Sequence, residues 1–412
     1  MQMSTQPSVS DTDIRLLRDG EVPEDAGLLK SLTVGTEQLS DFLSEQYLRT
    51  YIAEGGSKIK FITGRSGSGK THFSRVMLHE AYEQNYRTVR FSAKDIWLHD
   101  FREIYLEILK QCDIELVLEG CARQIILEMG YDPSEVGQGR TFMDLLSEKG
   151  EADPIARGEI RGILRKMFTR NPLLDNNFAC CCSLLTGGIL GHPVLETASR
   201  DLLLRFLHGD KTVKLTQLRA LGLSPSRITK FNARNLLRSL AEVVHLGGFT
   251  GLLVMIDDME MLLNRSGGSV MKYTKLRRED TYESIRQLID DIDSMHYIMF
   301  LLCFDRELMD NDSYGMKSYQ ALWMRIQNEV VSVRFNKFAD ILDLDRCAEE
   351  FFTDETLEEM AERLGTVLEQ AGVPVRRIPA ENMKQIREQA VYGSIGLPYL
   401  VNRAVQEGEE NV

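Results

Sequence analysis

A glycine-rich segment near the start of the chain has the residue types that bind phosphate. Gly64-Arg65-Ser66-Gly67-Ser68-Gly69-Lys70-Thr71 fills every fixed position of the P-loop pattern G-x-x-x-x-G-K-[ST]. The residues before it, Lys58–Thr63, predict a buried strand, and apolar residues at helical spacing follow from His72 to Tyr86. A strand, a glycine turn and a helix in this order place backbone N–H groups and a helix N-terminus around a phosphate. The segment therefore predicts a site for ATP or GTP.

The last residues of this segment have separate predicted roles. The Lys70 ammonium is expected to reach the β- and γ-phosphates of the nucleotide, and the Thr71 hydroxyl is expected to hold Mg²⁺. His72 follows directly and is counted with Gly64–Thr71 among the nucleotide-binding residues. A glycine-rich turn can match the pattern by accident, but the flanking strand and helix favour the nucleotide site.

A second segment, far along the chain, supplies acidic residues. Leu252–Ile256 is a run of five apolar residues, typical of a strand buried on both faces of a parallel sheet. Asp257, the first acid after it, is the Walker B candidate for Mg²⁺. Asp258 stands where many hydrolysing ATPases carry a glutamate that orients the attacking water, and Glu260 is a second candidate base. Because an aspartate side chain is shorter, Asp258 predicts hydrolysis that is slow or depends on assembly.

Further strands alternate with helices and predict an α/β fold with a parallel sheet and right-handed crossovers. These strands are predicted at Thr88–Ser92, Tyr297–Cys303 and Val330–Phe335. Asp305 and Arg306 are candidate sensors of the γ-phosphate, because ligands of such sheets bind at the carboxyl ends of the strands. Arg325 precedes the last predicted strand and is a candidate arginine finger aimed at a neighbouring subunit.

The chain between the second strand and the Walker B strand is far longer than one crossover helix. Its apolar spacing predicts helices at Phe101–Lys110, Glu115–Met129, Ala156–Phe168, Glu196–His208, Leu215–Leu221 and Asn232–Leu246. Three more are predicted near the C-terminus, at Asp354–Ala371, capped by Thr353, at Ala380–Ala390 and at Pro398–Gln406. We therefore divide the chain into an N-terminal helical segment (1–55), a P-loop ATPase core (56–110 and 229–338), a helical insert (111–228) and a C-terminal helical lid (339–412).

Composition restricts the partners and the compartment. The 412 residues carry a formal net charge of −13, which argues against a surface that is basic throughout but leaves room for local patches. No apolar run is long enough for a transmembrane helix, and Met1–Asp13 lacks the features of a secretion signal. The seven cysteines, three of them at Cys180–Cys182, are expected to be buried reduced thiols rather than a metal site. These features predict a cytoplasmic protein with no membrane partner.

Three basic sets are candidates for contact with duplex DNA, although a solvated helix face is the commoner explanation of such runs. The second set recurs at helical spacing and predicts one stripe on a helix. The sets are Arg161, Arg165, Lys166 and Arg170; Arg227, Lys230, Arg234 and Arg238; and Lys272, Lys275, Arg277 and Arg278.

Several segments together resemble the AAA+-type P-loop ATPases of bacterial BREX phage-defence systems, the BrxD-like proteins, and the resemblance covers most of the chain. The phosphate-loop and Walker B motifs are specific for nucleotide, whereas the Gly-Leu lead into Walker B and the Ser-Tyr-x-Ala-Leu segment are more specific for the family. The matching segments are Gly20-x-x-Pro23, Val34-Gly35-x-Glu37, Phe61-Ile62-x-Gly64 through Thr71, Phe206-Leu207-x-Gly209-Asp210, Gly248-Phe249-x-Gly251-Leu252, Asp257-Asp258-x-Glu260 and Ser318-Tyr319-x-Ala321-Leu322 before Arg325.

The resemblance implies ATP as the nucleotide and defence against phage as the setting. It also implies other proteins of the system or DNA as partners. Two positions depart from the family pattern. Asp258 stands in place of the usual glutamate, and Tyr399 stands where many AAA+ lids carry the arginine of Gly-x-Pro-Arg, with Arg403 one helical turn further on as a candidate substitute.

The sequence leaves several functions open. The leading interpretation is an ATPase switch or remodelling subunit of a defence complex, assembled as a homo-oligomer or with other proteins. A nucleotide-gated regulatory or signalling scaffold with little hydrolysis is the alternative that Asp258 and Tyr399 favour. A DNA-loading or translocating ATPase is a third, and a P-loop kinase is disfavoured because no acceptor-substrate site is recognisable.

Overall fold

A computed structural model describes residues 10–263, 272–327 and 335–406 of the chain. Its centre is one five-stranded sheet with the order β2-β3-β4-β1-β5, in which every pair of neighbouring strands is parallel. The fold is therefore α/β, as predicted, and is compatible with a P-loop NTPase. The strands are β1 (Ser57–Gly64), β2 (Arg87–Ser92), β3 (Leu252–Asp257), β4 (Ile298–Asp305) and β5 (Ile341–Asp343).

Helices make up most of the remaining chain. The α-helices are α1 (Asp11–Arg18), α2 (Ala26–Ser31), α3 (Glu37–Leu43), α4 (Lys70–Glu83), α5 (Phe101–Cys112), α6 (Ile114–Glu128), α7 (Phe142–Lys149), α8 (Pro154–Leu164), α9 (Asn176–Leu190), α10 (Thr197–Leu207), α11 (Leu215–Ala220), α12 (Ala233–Leu246), α13 (Lys275–Asp291), α14 (Arg306–Asp310), α15 (Gln320–Gln327), α16 (Leu344–Phe351), α17 (Asp354–Gln370), α18 (Ala380–Tyr392) and α19 (Leu397–Gln406). Helices α3 and α8 continue as π-helices at Ser44–Ile52 and Arg165–Thr169, and 3₁₀ turns occupy Pro133–Glu135, Met259–Leu263, Ile292–Ser294 and Met316–Ser318.

The central strands are apolar because both of their faces are covered. Every residue of β3 is buried, and so is every residue of β4 except the last. The register brings the strand ends together: Gly64 of β1 pairs with Asp305 of β4, and Ser92 of β2 pairs with Asp257 of β3. The sheet thus gathers four chemically useful positions at its carboxyl edge.

The fifth strand differs from its prediction. The predicted strand Val330–Phe335 falls on residues that lie outside the described part of the chain, apart from Phe335, which is not in a strand. The structure instead places β5 at Ile341–Asp343, paired with residues Phe61–Thr63 of β1. A three-residue strand carries too little alternation to be recognised in a sequence.

The segment between β2 and β3 consists of the intervening helices, α5–α12. All six predicted helices are present there, but α7 and α9 were not anticipated. Helix α9 packs against α6, α8 and α10, and its Cys181 and Cys182 are buried thiols, as expected. A helix covered on most sides has no wide polar face, so its sequence shows no clear helical period. The intervening helices share one continuous apolar core with one face of the sheet.

The other face of the sheet packs against α3, its π-helical extension and α4. The C-terminal helices, α17–α19, contact one another and bury Leu364, Leu368 and Val405 against Leu17 of α1 and Leu28 of α2. The predicted cap of α17 is confirmed, since Thr353 and Thr356 form a reciprocal capping box. Within the described residues, no helix combines the length and the apolar character needed to cross a bilayer.

The predicted basic stripe on one helix face is wrong. Helix α12 begins at Ala233, so Arg227 and Lys230 belong to the irregular segment before it. Arg278 is buried and donates to the carbonyl of Leu262, so the third basic set is not wholly solvated. The spacing matched a helix by coincidence, since residues 223–229 are irregular and residues 230–232 form a turn.

Candidate nucleotide-binding site

The phosphate loop, Gly64–Thr71, forms the turn between β1 and α4, where the sequence placed it. Gly67 and Gly69 have φ angles of 75° and 87°, in the left-handed region that favours glycine. A Cβ atom on Gly67 would also lie 2.5 Å from the Cβ of Tyr399. Gly69 caps the N-terminus of α4, so the first backbone N–H groups of this 14-residue helix face the loop. Such a turn presents N–H donors and a positive helix end to an anion.

The Lys70 ammonium lies at the centre of the loop. Its Nζ is 2.9 Å from the carbonyl oxygen of Arg65 and 2.6 Å from Oδ1 of Asp305, at the end of β4. The structure thus brings Lys70 together with one of the two predicted sensors. A lysine held within a few ångströms of the loop carbonyls needs only a change of rotamer to reach a phosphate bound in the loop.

Thr71 and Asp257 meet as the P-loop interpretation requires. The Thr71 hydroxyl donates to Oδ2 of Asp257 over 3.2 Å, and the backbone N–H of Asp258 donates to its Oδ1 over 2.9 Å. Burial raises the pKa of the Asp257 carboxyl, since a buried charge is disfavoured. A hydroxyl and a carboxylate side by side are the hard oxygen donors that Mg²⁺ takes, one directly and one through water. The donor set therefore fits Mg²⁺.

Asp258 is turned towards β2. Its φ of 57° is left-handed, and its two carboxylate oxygens accept from Ser92 Oγ and Lys94 Nζ, each over 2.6 Å. Both partners stand at or just after the end of β2. The carboxylate borders the open space beside the phosphate loop, but both of its oxygens are already engaged by Ser92 and Lys94.

Glu260 is turned the opposite way, towards β4. It lies in the 3₁₀ turn after β3, and its Oε2 accepts from the backbone N–H of Asp305 over 3.3 Å. Burial, with the negative charge of Asp305 as the next cause, raises the pKa of Glu260 to about 7, although the charge of Lys70 opposes the rise. Glu260, Asp305 and Lys70 therefore form one charged cluster beside the phosphate loop.

Arg65 joins the phosphate loop to the C-terminal part of the chain. Its backbone N–H donates to Oδ2 of Asp345 over 2.7 Å, and its guanidinium pairs with the same carboxylate at 3.2 Å. The guanidinium also donates to the carbonyl oxygens of Ala390 and Gly393, at the end of α18. Arg306, the second predicted sensor, does not contact the loop lysine and pairs instead with Asp343 and Asp345.

The segment that leads into α19 lies directly on the phosphate loop. The backbone N–H of Gly396 donates to the carbonyl of Ser66 over 2.8 Å, and that of Tyr399 donates to the carbonyl of Gly67 over 3.2 Å. A Cβ atom on Gly396 would lie 2.4 Å from the backbone nitrogen of Ser68. This close approach requires a glycine at position 396.

The phosphate loop opens into a cavity of about 450 Å³. Its lining combines the polar groups of Lys70, Thr71 and Asp257 with apolar side chains from the N-terminal segment and the C-terminal helices. Such a mixture suits a ligand with a charged end and an apolar, ring-shaped end. The apolar lining residues include Leu17, Val22, Pro23, Leu32, Val34, Phe352, Met360, Leu364 and Pro398.

His72, one of the predicted nucleotide-binding residues, also lines this cavity. Its Nε2 lies 3.0 Å from the hydroxyl of Thr33. Burial, followed by the charge of Arg75, lowers the pKa of His72 to about 4, so the imidazole is neutral at physiological pH. Arg75 in turn donates to the carbonyls of Val22 and Pro23 over 2.7 and 3.1 Å, which fixes the N-terminal segment against α4.

Arg325 lies apart from these groups. It is on α15, which packs against α13, and its Nε is 2.7 Å from Oδ1 of Asp290. The side chain is half exposed and is not among the residues that line the cavity. Within one chain, the structure therefore does not bring Arg325 to the phosphate loop.

Sequence reasoning missed four residues that shape the site: Ser92, Lys94, Asp345 and Arg75. Ser92 and Lys94 follow a strand end, and polar residues at that place are a usable signal because strand ends of a parallel sheet meet. Asp345 had no signal, since β5 was not recognised. Arg75 lies one helical turn after Thr71, a spacing that puts both side chains on one face of α4.

The family of BREX system ATP-binding proteins BrxC/D matches the chain over residues 6–403. No curated protein and no solved structure gives a significant match. The matched range includes the phosphate loop, the end of β3, Asp305 and the segment that leads into α19. Because the match covers nearly the whole chain, this protein belongs to the BrxC/BrxD family of ATP-binding proteins of the BREX antiviral defence system.

Proposed function

We propose that this protein is a cytoplasmic ATPase, of the AAA+ type, that serves a BREX defence complex as a switch or remodelling subunit. The observation that carries the proposal is the contact between Thr71 and Asp257 at 3.2 Å, beside a complete phosphate loop. A P-loop site needs a hydroxyl and a carboxylate for its metal. Thr71 and Asp257 supply these two groups side by side, although they lie far apart in the chain.

ATP would bind with its phosphates in the turn of Gly64–Thr71. Lys70 would exchange its contact with Asp305 for the β- and γ-phosphates, because a charge-assisted bond to phosphate replaces one to a carboxylate. Thr71 and Asp257 would hold Mg²⁺, which would neutralise negative charge on these phosphates. The adenine would lie against the apolar part of the cavity lining, between the N-terminal segment and the C-terminal helices.

We assign the role of catalytic base to Glu260 in preference to Asp258. Glu260 belongs to the cluster with Lys70 and Asp305, where the γ-phosphate would lie, and its pKa of about 7 suits a group that takes a proton from water near neutral pH. Asp258 has both oxygens engaged by Ser92 and Lys94, so its role would be to hold the end of β3 against β2.

The helices α17–α19 would act as a lid. The γ-phosphate would draw Lys70 away from Asp305, and Arg65 would transmit the change to the carbonyls at the end of α18. In an assembled complex, the half-exposed Arg325 would leave Asp290 and reach the γ-phosphate of a neighbouring copy. Homo-oligomers, other proteins of the system and DNA are the partners that this function implies.

A nucleotide-gated scaffold with little hydrolysis is the second candidate. Two observations favour it: Asp258 is held by an ion pair to Lys94, and Tyr399, not an arginine, contacts the phosphate loop. In this case ATP would close the cavity and hold it closed until a partner acts.

The test is steady-state hydrolysis of ATP with Mg²⁺ by the full chain, combined with a direct measurement of ATP binding. Lys70→Ala is the decisive variant, because its ammonium lies in the loop and not in the apolar core, so the protein should stay folded. Turnover that Lys70→Ala removes establishes the ATPase. Binding without turnover selects the scaffold, and normal binding and turnover in a folded Lys70→Ala protein would refute the phosphate-loop assignment.

A further inference from the structure

Cationic and aromatic side chains from three separate segments meet at one place on the surface. Trp97 and His99 belong to the loop between β2 and α5, which is residues 93–100. Two other segments contribute cations, the turn before α12 and the first turn of α13. We call this set the basic-aromatic surface, and it consists of Trp97, His99, Arg227, Lys230, Phe231 and Arg277.

The loop between β2 and α5 is held firmly beside α13. The guanidinium carbon of Arg277 lies 4.3 Å from the centre of the Trp97 ring, and the Trp97 and His99 rings are 5.3 Å apart. The Tyr273 hydroxyl accepts from the backbone N–H of Leu98 over 3.0 Å. These contacts fix one half of the surface in place, with the exposed guanidinium of Arg277 on top of it.

The segment before α12 supplies the second half. The Phe231 side chain is 81% exposed, and the Lys230 ammonium lies 5.5 Å from the centre of its ring. Arg234, in the first turn of α12, lies 5.5 Å from the Phe101 ring at the start of α5, so the two halves adjoin. Burial lowers the pKa of His99, and the positive charges of Arg277 and Lys230 lower it further against the opposing charges of Asp100 and Asp280.

The cations of this surface are available to a ligand. Among the described residues, none of the carboxylates forms an ion pair with Arg227, Lys230 or Arg277, whereas Arg200, Arg205 and Arg234 of the intervening helices are each paired with one. The guanidinium of Arg227 does donate to the carbonyl of Lys211 over 2.9 Å, which orients it. In a chain with a net charge of −13, such a local group of cations selects for an anionic partner.

We propose that the basic-aromatic surface binds single-stranded nucleic acid, with Arg227, Lys230 and Arg277 on phosphates and the Phe231 ring stacked on an unpaired base. Cations interleaved with exposed rings are the combination that single strands require, because every base has a π-face once it leaves a duplex. A paired base offers no such face to Phe231. This inference names a partner for the proposed function but does not depend on hydrolysis.

The basic-aromatic surface lies close to the proposed ATP site. The same loop that carries Trp97 and His99 also carries Lys94, whose ammonium is bonded to Asp258 at the end of β3. A nucleic-acid strand bound at Trp97 would therefore contact the same loop that borders the cavity beside the phosphate loop. That loop would be a direct covalent connection between the two binding sites.

The test is fluorescence anisotropy of a labelled, mixed-sequence DNA oligonucleotide with the full chain in the absence of nucleotide. The oligonucleotide is used single-stranded and annealed to its complement. We expect the single strand to bind more tightly than the duplex, and Phe231→Ala to weaken single-strand binding about fivefold or more, the loss of one stacked base. Lys230→Ala and Arg277→Ala should each reduce the slope of log K against log salt by about 0.7.

Two variants elsewhere serve as matched controls. Tyr82 is 67% exposed near the end of α4, close to the start of β2 rather than its carboxyl end. Tyr82→Ala should therefore bind the single strand normally. Lys110 is exposed in the last turn of α5, about 13 Å along the helix from Phe101, and Lys110→Ala should leave the salt slope unchanged. Thermal unfolding of each variant checks that it is folded.

Three results would overturn the proposal. The first is equal affinity for the single strand and the duplex, and the second is unchanged binding by a folded Phe231→Ala protein. The third is binding of polyglutamate as tight as that of the single strand, which would assign the surface to an acidic protein. Because this experiment contains no ATP, a negative result would not contradict the proposed ATP site. Loss of ATP binding in Lys70→Ala would likewise not contradict the proposed binding of a single strand to this surface.

Discussion

Asp258 and Glu260 are two residues apart on the chain, but they belong to two different environments. Asp258 faces β2, where Ser92 and the partly exposed Lys94 engage both of its oxygens. Glu260 faces β4, where it lies near Asp305 and Lys70 and has a pKa of about 7. The chain turns sharply between them, at the left-handed φ of Asp258.

The difference teaches that the neighbouring strand decides what an acid at a strand end can do. On the β2 side, a serine hydroxyl and an exposed lysine engage both oxygens of Asp258, so this carboxylate holds structure. A buried site next to a second acid makes a carboxylate hold its proton near neutral pH, so the group is suited to proton transfer. Four predictions test this contrast between the β2 side and the β4 side of the site.

The largest effect is expected for Glu260→Gln. If Glu260 takes the proton of the attacking water, the amide cannot replace it, and turnover should fall about a hundredfold or more while ATP still binds. Steady-state hydrolysis and a binding titration on the same preparation measure both quantities. Turnover within a few-fold of the wild type would show that Glu260 is not the catalytic base, and Asp258 would then be the candidate for that role.

The same variant should change stability with a definite sign. The folded pKa of Glu260, about 7, is above the usual value of 4.5, so its contribution to folding is complete below about pH 4.5 and is lost as pH rises through 7. At pH 8 the folded protein holds a buried negative charge that Gln lacks. We expect Glu260→Gln to raise the free energy of unfolding by about 1 to 3 kcal/mol at pH 8 and by little at pH 4.5. Urea unfolding at both pH values tests this, and an equal shift at both would contradict a raised pKa.

The pH dependence of turnover should show the same group. In the free protein Glu260 must lose its proton before it can accept one, so kcat/KM should fall about tenfold per pH unit below a midpoint near 7. Asp258→Asn provides the comparison, because its profile should keep this midpoint. If kcat/KM of the wild type does not change between pH 6 and pH 8, the protonation of Glu260 does not control turnover.

The smallest effects are expected on the β2 side. Asp258→Asn keeps a side-chain oxygen for Ser92 but loses the ion pair, and Lys94→Ala loses the ion pair from the other end. An exposed pair of this kind contributes about 1 kcal/mol or less to stability, and we expect each variant to retain turnover within about tenfold of the wild type. If Asp258→Asn lowers turnover more than Glu260→Gln does, the assignment of the two acids is reversed.

Much of the fold was accessible from the sequence because its signals are local. The runs of apolar residues in β3 and β4 reflect burial on both faces, and the helical spacing of α5, α6 and α12 reflects one buried face. The phosphate-loop positions are recognisable because the left-handed φ of residues 67 and 69 strongly favours glycine. These patterns depend on each segment alone.

Other elements were missed because their sequences carry no local signal. Helix α9 is covered by other helices and has no clear polar face, and β5 is too short to show a pattern. The segment Arg227–Arg238 shows the reverse error, a helical spacing that continues across a turn. Its cations form a surface with Trp97 and Arg277, which no spacing in the sequence indicates.

The sequence by itself determined that this protein has the P-loop pattern, an acid directly after an apolar strand, and an α/β order of elements, since each depends on residues that are neighbours in the chain. Only the tertiary structure decided which acid faces the loop lysine, that Gly396 and Tyr399 lie on the phosphate loop, and that Arg65 joins the loop to α18. The physical reason is that charge, burial and hydrogen bonding act over a few ångströms. Those distances are set by strand order and helix packing, not by position along the chain.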